Sequence, residues 1–478
     1  MAALPSYVAE AKPLPLDERA PWYATTAQTY AGIMLWFVFW HEVPVGSGFK
    51  QLYSEFAGGT LAQGLGVAFL GLIVAALICH FLFYLVPGTL GMKTGLPLYI
   101  VGTSTYGVQG GFIMPGFLMG VLQFGWLAVN AYFSAMLLCA PFGAEAGSVT
   151  HSVVAAVWAI AAAFVGLKGI QYVAKVATFL PLIPLVILLI LAAYTIGGVG
   201  QFDSTKLVGQ FTGEKFTEVK PALSSFGIIA LMSTYIVGFF ATAGAAGTDI
   251  ASSNRNKNDV QLGGLVGVAG ATIFAGGLSL LIVAGALGLD LTKGDPILQT
   301  SALMKFIVGE KTAAVFWYLL AIAAFPPACF SSLIAANSFR TTLPKVNPFI
   351  SCGIGTLVAI VLAVTGAAGN AVDVFKVIGA SFGPICGAMV ADYILAGYKW
   401  PGPRAGFNPA GWISWFVGFV IGAIDLVAKY VPQLAVLAGK IPAPPVVAFV
   451  VGFVLYFALA KAGMLSQSLP MPANTQEP

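Results

Sequence analysis

The sequence predicts an all-α polytopic membrane protein, and three observations lead to that fold class. The chain has 478 residues, of which 58% are hydrophobic and only 8% are charged, whereas soluble proteins carry about a quarter charged residues. Apolar runs long enough to cross a bilayer core of about 30 Å recur along the whole chain. The short alternating segments of a membrane barrel are not seen in the sequence, so helices are the expected spanning elements.

The apolar runs predict about twelve spans. In chain order they cover residues 26–48, 64–87, 112–140, 152–168, 172–197, 222–247, 262–288, 312–337, 347–366, 371–396, 410–428 and 443–463. An even number places both termini on one side of the membrane. The short connection "SNRNKND" carries its positive charge more densely than the longer loops 198–221 and 289–311. This bias predicts cytoplasmic termini and a multi-pass protein of the cell membrane.

The remaining composition excludes several other classes of protein. Residues 1–25 are polar and rich in proline rather than a charged start followed by an apolar block, which indicates a flexible cytoplasmic tail and no signal peptide. The five cysteines are odd in number and lie in apolar surroundings, so they are expected to be buried free thiols. A net charge of +4 is too small and scattered to indicate nucleic acid as a partner.

Two spans carry residues that interrupt a membrane helix. The first span contains "HEVPVGSG" in its second half, and the sixth contains "IVGFFATAGAAGTD" at residues 236–249. Glycine and proline free backbone groups that lipid does not satisfy, so such breaks occur where protein or a water-filled cavity covers them. Breaks in corresponding spans are typical of inverted-repeat transporters, whose substrates bind at discontinuous helices near the midplane.

Each interruption also has a simpler interpretation. Small residues in the sixth span could serve only close packing between helices. His41 and Glu42 could lie at the outer interface if the first span ended early. Ionisable groups at membrane depth are costly, however, and normally face an aqueous or ligand site.

Four stretches resemble the nucleobase/cation symporter-1 family, which includes purine, cytosine and hydantoin transporters. "KTGLPLYIVGTSTYGVQGGFIMPGFLMGVLQFGWLAVNAYF" is similar to the family's linker and third span, with a tryptophan followed four residues later by an amide. "VGFFATAGAAGTDIASSNRNKND" resembles the sixth span. "FPPACFSSLIAANS" resembles the eighth, and "NAVDVFKVIGASFGPICGAMVADYILAGYK" resembles the tenth. The resemblance extends over residues 20–400.

The resemblance implies the LeuT-type architecture of two inverted five-helix repeats and two extra helices. The repeats are expected at residues 26–197 and 222–396, the extra helices at 410–463, and a cytoplasmic tail at 464–478. It further implies a non-enzymatic secondary transporter that imports a nucleobase or related flat heterocycle with a cation, by alternating access. The implied partners are a small-molecule substrate and the lipid bilayer. No oligomeric state is implied.

A flat heterocycle needs aromatic planes for stacking and amides that donate and accept hydrogen bonds. On that basis Trp126 and Phe240 are expected to stack on the two faces of the ring. Gln123, Asn130 and Asn337 are expected to form hydrogen bonds with its polar edge. Backbone groups freed by a helix break at Gly238 and Thr242 would add polar contacts. The predicted substrate-binding residues are Gln123, Trp126, Asn130, Gly238, Phe239, Phe240, Thr242, Asn337 and Glu42.

The family's sodium ligands match the eighth span of this chain. Ala328, Ser331 and Ser332 are the predicted Na⁺ ligands, together with backbone oxygens of the first span, and oxygen is the donor that hard cations prefer. Paired serines also commonly bond back to their own helix. No cofactor is expected beyond the coupling ion.

The role of Glu42 has two candidate answers. Its carboxylate could bind the polar edge of the substrate or gate its passage, replacing an acid that cytosine permeases carry in the eighth span and this chain lacks. Alternatively, Glu42 could take up a proton and make H⁺ the driving ion. A channel is a weaker alternative, since the sequence has no repeated filter motif. A metalloenzyme motif such as H-E-x-x-H is also missing.

Overall fold

The computed structural model describes residues 4–49, 52–168, 171, 177 and 179–471. Within this part of the chain, nine helices are long and apolar enough to cross a membrane, and two further apolar helices are shorter. The predicted all-α membrane fold is therefore confirmed, while the number of twelve spans stays a prediction. The predicted span 172–197 begins on residues outside the described part of the chain.

The helices that build the protein are numbered in chain order. They are α1 Thr26–Met34, α2 Phe37–Glu42, α3 Leu65–Thr94, α4 Phe112–Phe142, α5 Val149–Lys168, α6 Leu182–Gln201, α7 Ser225–Ala245, α8 Gly247–Ala251, α9 Lys257–Gly288, α10 Thr300–Val308, α11 Glu310–Thr342, α12 Pro348–Val364, α13 Ala371–Leu395, α14 Pro409–Gly422 and α15 Pro444–Lys461.

Short elements connect these helices. The strands β1 Gly48–Phe49 and β2 Tyr53–Ser54 pair antiparallel after α2. Short α-helices lie at Ser6–Ala9, Leu98–Val101, Thr103–Tyr106, Ser204–Gly209, Ile424–Ala428 and Ala435–Ala438.

Polar side chains set where several long helices begin. Ser224 accepts a hydrogen bond from the amide of Gly227 at the start of α7, and Asn256 accepts one from the amide of Asp259 at the start of α9. Asn347 and Asn370 cap α12 and α13 in the same way. These caps satisfy amides that the helix itself leaves unpaired.

The first membrane segment is broken, but not where the sequence analysis placed the break. Helix α1 ends at Met34, Trp36 has an extended backbone (φ −62°, ψ 128°), and α2 continues through His41 to Glu42. The motif "HEVPVGSG" instead marks the end of α2, where Pro44 and the glycines follow. The predicted interruption is therefore real, and its predicted position was wrong.

The sixth segment is divided at Ala246, inside the predicted stretch 236–249. Helix α7 extends unbroken through Gly238 and Thr242, and only a bend at Ala246 separates it from α8. The small residues serve contact between helices, since a Cβ on Gly238 would lie 2.6 Å from the carbonyl oxygen of Phe375, and one on Gly244 would lie 2.8 Å from Cβ of Phe83. Close packing between helices therefore accounts for Gly238 and Gly244, and the division between α7 and α8 follows them at Ala246.

Helix packing brings four separate segments to one place. Helix α13 packs against α7, α14 and α15, and it also touches α4. Helix α4 packs along α11 and against α5 and α12, while α3 lies between α7 and α9. The break between α1 and α2 faces the region where α4, α7 and α13 meet, as the ring contacts below establish.

The amino-terminal segment is docked rather than loose. Val8 is fully buried, and the ring of Tyr7 lies 5.3 Å from that of Phe112. Arg19 is also buried and donates to the carbonyl oxygens of Leu14 and Met92. The expectation of a flexible tail was wrong for residues 4–25, whereas residues 1–3 lie outside the described residues. All five cysteines are buried and free, as predicted.

Candidate functional site

Four aromatic side chains meet at the break in the first segment. The ring centroid of Trp126 on α4 lies 5.9 Å from Trp36 at the break, 5.2 Å from Phe239 on α7 and 5.2 Å from Phe375 on α13. Trp36 also stacks on Phe239 at 6.1 Å. We call Trp36, Trp126, Phe239 and Phe375 the aromatic cluster. These distances mean that the rings touch one another, so a guest ring must part them.

Polar groups at the cluster are few. The indole N–H of Trp126 donates to the hydroxyl of Thr242 at 3.2 Å. Gln123, one helical turn before Trp126 on α4, is buried and directs its amide to the sulfur of Met119 at 3.6 Å. Thr242 therefore contacts the predicted stacking residue directly, through its side chain rather than through a freed backbone group.

Phe240 does not take the stacking position predicted for it. Its ring is fully buried against Tyr30 at 5.5 Å, while the neighbouring Phe239 contacts Trp126. The physical reason is the helical period of 3.6 residues, which turns consecutive side chains by about 100°. Because α7 is unbroken here, only one of the two phenylalanines can point at the cluster.

Asn130 is hydrogen-bonded within the protein. Its amide donates to the carbonyl oxygen of Ala324 at 2.9 Å and accepts from the indole of Trp158 at 3.0 Å and from Ser134 at 3.3 Å. Three of the amide's four hydrogen-bonding positions are thus used to join α4, α5 and α11. These bonds connect the three helices, and a contact of Asn130 with the edge of a substrate stays a prediction.

Asn337 lies on α11, and Gly238 lies on α7 next to Phe239. The side chain of Asn337 is exposed, near the end of α11. Gly238 lets the backbone of α7 approach that of α13 at Phe375. Its contribution is to bring Phe239 and Phe375 together, because no backbone group is freed at this position.

His41 and Glu42 form a buried polar network away from the aromatic cluster. His41 is fully buried, and its Nε2 lies 3.1 Å from Oε1 of Glu42. The amide of Gln299 donates to the same carboxylate oxygen at 2.8 Å. The other imidazole nitrogen, Nδ1, lies 2.9 Å from the hydroxyl of Ser301. Burial excludes a position in water for both side chains, while the end of α2 at Glu42 agrees with a segment that ends early.

This network joins the first segment to the helix that precedes α11. Gln299 and Ser301 lie at the start of α10, and the carbonyl oxygen of Ser301 accepts from the indole of Trp317 on α11 at 2.9 Å. Movement of α2 relative to α10 must therefore break or rearrange hydrogen bonds to a buried carboxylate. Such bonds are stronger than neutral ones.

The predicted cation ligands lie in the middle of α11. Ser331 is nearly buried and donates to the carbonyl oxygen of Pro327 at 3.2 Å. Ser332 is fully buried, and its hydroxyl has no hydrogen-bond partner among the described residues. Pro326 and Pro327 lack amide hydrogens, which leaves two carbonyl groups in the preceding turn without helical donors. These carbonyl groups belong to Ile322 and Ala323, on the same helix as Ser331 and Ser332.

The carbonyl groups of the first segment are held by side chains. The carbonyl oxygen of Leu35, at the break, accepts from the indole of Trp40 at 3.0 Å. The hydroxyl of Tyr235 on α7 donates to the carbonyl oxygen of Val38 at 3.0 Å and also contacts that of Phe39. These bonds stabilise a broken helix inside the protein, where an unpaired carbonyl group would be costly.

Sequence reasoning missed two members of the aromatic cluster. Trp36 lies five residues before the motif "HEVPVGSG", and no glycine or proline marks its extended backbone. Phe375 lies within the tenth-span motif, nine residues before Pro384. Its direction depends on the rotation of α13 about its own axis, and the sequence carries no separate signal for that rotation.

Comparisons with known proteins by sequence find no match. No family model matches the chain, and no curated protein matches it significantly.

Comparisons of structure find membrane transporters. A structure of Mhp1, a nucleobase-cation-symport-1 family transporter, in a closed conformation with bromovinylhydantoin bound, matches with a TM-score of 0.61 at 14% identity, covering 95% of this chain and 94% of that one. Mhp1 in its inward-facing conformation matches with a TM-score of 0.62 at 14% identity, covering 98% and 99%. A Na⁺-coupled sialic acid symporter matches with a TM-score of 0.51 at 13% identity, covering 95% and 92%.

The matches extend over nearly the whole of each chain, so they concern the complete architecture rather than one helical bundle. The matched structures are transporters, in agreement with the expectation of a non-enzymatic protein. The chain thus has the LeuT-type fold predicted for it, shared over its whole length with a nucleobase-cation-symport-1 transporter.

Proposed function

We propose that the protein belongs functionally with the nucleobase-cation symporters and imports an uncharged flat heterocycle, such as a nucleobase or a hydantoin, together with a cation. Transport would proceed by alternating access across the cell membrane, with both termini cytoplasmic and the repeats at residues 26–197 and 222–396. The aromatic cluster is the observation that carries the proposal. Its four rings come from four separate segments and meet at a break in the first one.

The chemistry of the cluster suits a flat ring. Aromatic faces stack on the faces of a heterocycle, and such stacking contributes about 1–3 kcal/mol per base in nucleic-acid sites. The hydroxyl of Thr242 and the amide of Gln123 supply polar contacts close to Trp126. The rings touch in this conformation, so binding is expected to separate Trp126 from Phe239 and to couple occupancy to the positions of α4 and α7.

Sodium is the proposed coupling ion. The ligands proposed for it are the carbonyl oxygen of Ala328 and the hydroxyls of Ser331 and Ser332. A buried hydroxyl without a partner at Ser332 supports this assignment, since an unmade hydrogen bond in the protein interior costs about 1–3 kcal/mol. Hard cations bind such neutral oxygen donors.

A thermal-shift panel tests both halves of the proposal. The purified protein is melted with cytosine, uracil, hypoxanthine and hydantoin, each in sodium and in potassium chloride. We expect at least one ring to raise the melting temperature in sodium and to do so much less in potassium, because a bound ligand stabilises the native state. Trp126→Ala should abolish the shift, whereas Trp22→Ala, outside the cluster, should retain it. The absence of any shift with every ring would overturn the proposal.

Proton coupling is a second candidate, and the buried His41–Glu42 pair favours it. A carboxylate and an imidazole at 3.1 Å and out of water can share and exchange a proton as α2 and α10 separate. Tyr132 and Tyr235 are the other titratable groups close to Glu42. In this case the role of Glu42 would be in coupling rather than in substrate binding.

Proteoliposomes distinguish the two ions. Under sodium coupling, a sodium gradient alone drives uptake, and Glu42→Gln changes only its rate. Under proton coupling, a pH gradient alone drives uptake, and Glu42→Gln abolishes it. Glu55→Gln is the matched control, since Glu55 is a carboxylate bound by Lys220 and Ser47 outside the membrane segments.

A further inference from the structure

Trp36 carries a hydrogen-bond donor that the protein does not use. The side chain is 9% exposed, and its indole N–H is buried with no partner among the described residues. Leaving a buried donor unpaired costs about 1–3 kcal/mol. An orphan donor of this kind therefore calls for an explanation.

Other tryptophans in the chain pair their indole groups. Six of them donate to a carbonyl or side-chain oxygen at 2.9–3.2 Å: Trp40, Trp126, Trp158, Trp317, Trp400 and Trp415. Trp412 shares the unpaired state of Trp36, but it lies on α14, with its ring among Tyr106, Phe407 and Trp415. Only Trp36 combines an unused donor with membership of the aromatic cluster.

The position of Trp36 indicates what its indole N–H could bind. The residue lies in the extended turn between α1 and α2, so its ring can move without distorting a helix. It stacks on Phe239 and touches Trp126, the two residues proposed to face the substrate. A ring that parts these aromatic side chains would present its edge to the indole of Trp36.

We propose that the indole N–H of Trp36 donates a hydrogen bond to a ring carbonyl oxygen of an uncharged heterocyclic substrate. The proposal rests on the function proposed above and adds a specificity determinant to it. Trp36 thus selects for the acceptor, while Trp126 and Phe239 select for the flat face.

The surroundings favour a neutral acceptor over a carboxylate. In the described part of the chain, the lysines that lie over aromatic rings do so at Tyr53, Phe56, Phe216, Phe306, Phe349, Tyr393 and Phe457, outside the aromatic cluster. The nearest acidic residue along the chain, Glu42, is occupied by His41 and Gln299. The polar groups of the site, which are the indole of Trp36, the hydroxyl of Thr242 and the amide of Gln123, are all neutral, so burying an anion against them is unfavourable.

The test compares ligands that differ by one carbonyl group. Hydantoin, 2-imidazolidinone and 4-imidazolidinone are titrated against the full-length protein in sodium, and dissociation constants are obtained from ligand-induced stabilisation. We expect the wild type to bind hydantoin at least about tenfold more tightly than one of the two mono-carbonyl rings, because a polar site rejects an analogue that leaves its donor unpaired.

Two variants assign that preference to Trp36. Trp36→Phe keeps an aromatic ring but has no N–H, and it should bind hydantoin and the discriminated analogue with affinities within about twofold of each other. Replacement of Trp36 by 3-benzothienylalanine exchanges N–H for sulfur in the same bicyclic shape, and it provides the same test if the phenylalanine variant fails to fold. Trp412→Phe removes the other unpaired indole and should keep the wild-type preference.

The outcomes separate this inference from the proposed function. If a variant at Trp36 keeps the full preference for hydantoin, the inference is overturned while the function stands. If the wild type shows no preference among the three rings, the inference is also overturned. If hydantoin does not bind but cytosine or uracil stabilises the protein in the thermal-shift panel, the function stands and the inference fails for this acceptor.

Discussion

At the scale of single residues, hydrogen-bond partners separate structural from functional polar groups inside the membrane. Asn130 resembled a substrate ligand in the sequence, yet its amide is bonded to α5 and α11. Ser332 and Trp36 are also buried, and their donors are unpaired. Because native interiors pair nearly all buried polar groups, the unpaired ones are the better candidates for contacts with an ion or a ligand.

Ser332→Ala tests whether the unpaired hydroxyl of Ser332 binds the cation. If the hydroxyl of Ser332 serves the cation, its removal takes away an unpaired polar group and should leave the sodium-free protein as stable as the wild type or slightly more so. Stabilisation by sodium should fall about tenfold or more in apparent affinity. Both quantities come from melting curves over a sodium titration.

Ser351→Ala is the matched control, since Ser351 lies on α12 and donates to the carbonyl oxygen of Pro348. It should leave the sodium titration unchanged. A Ser332→Ala protein that keeps its sodium response would remove Ser332 from the ion site.

At the scale of helices, composition predicted the elements well and their interruptions less well. The apolar runs located the long helices, because crossing a bilayer requires about 20 apolar residues. The break in the first segment carries no glycine or proline and is held by a local bond from Trp40 and a tertiary bond from Tyr235 on α7. Conversely, Gly238 and Gly244 serve packing within the continuous part of α7, so glycine alone does not locate the division between α7 and α8 at Ala246.

Gly238→Ala tests the role of close packing between α7 and α13. The added Cβ would lie 2.6 Å from the carbonyl oxygen of Phe375 and must push the two helices apart. We expect a loss of about 1–3 kcal/mol in stability, as for other overpacked sites. Ligand affinity should fall as well, because Phe239 and Phe375 move with their helices.

Gly353→Ala on α12 is the control, because a Cβ at that position meets no atom within 4 Å. Because alanine is the better helix former, this substitution should leave the melting temperature unchanged or slightly raised, and it should not change binding. Equal effects of the two substitutions would mean that helix propensity, rather than contact with Phe375, decides the outcome.

At the scale of the whole molecule, the fold class and the family resemblance could be predicted from the sequence. Which side chains meet in the aromatic cluster could not be predicted. Low charge and repeated apolar runs are global properties and survive errors in individual boundaries. Which of Phe239 and Phe240 meets Trp126 depends on the rotation of α7, and the membership of Phe375 depends on α13. Such rotations follow from packing over many helices rather than from any local motif.

A buried ionic network ties distant parts of the molecule together. Asp392 on α13 lies 2.8 Å from the guanidinium of Arg404 and accepts from the hydroxyl of Tyr456 on α15 at 2.8 Å. The amide of Asn408 donates to the hydroxyl of Tyr456 at 3.4 Å and to the carbonyl oxygen of Thr105 at 2.7 Å. Thr105 lies in the linker between α3 and α4. The acidic residue of the tenth-span motif therefore serves architecture, joining α13, α15 and the linker between α3 and α4.

Arg404→Met tests that assignment. The substitution leaves the carboxylate of Asp392 buried without its cation, which typically destabilises a protein by about 3–5 kcal/mol. Lys429→Met removes an exposed ion pair with Asp373 and should cost about 1 kcal/mol or less. Melting curves compare the two, and a similar small effect for both would show that the buried network is dispensable.

The measurement that tests the central claim most directly is counterflow in proteoliposomes preloaded with the unlabelled ring selected by the thermal-shift panel. If the aromatic cluster forms an alternating-access site for a flat uncharged ring, external radiolabelled ring should accumulate transiently and saturably in the wild type. The same is expected for Trp22→Ala, whereas Trp126→Ala should show none. Undiminished counterflow by Trp126→Ala, or flux that does not saturate and is accompanied by a larger ionic current, would contradict the account.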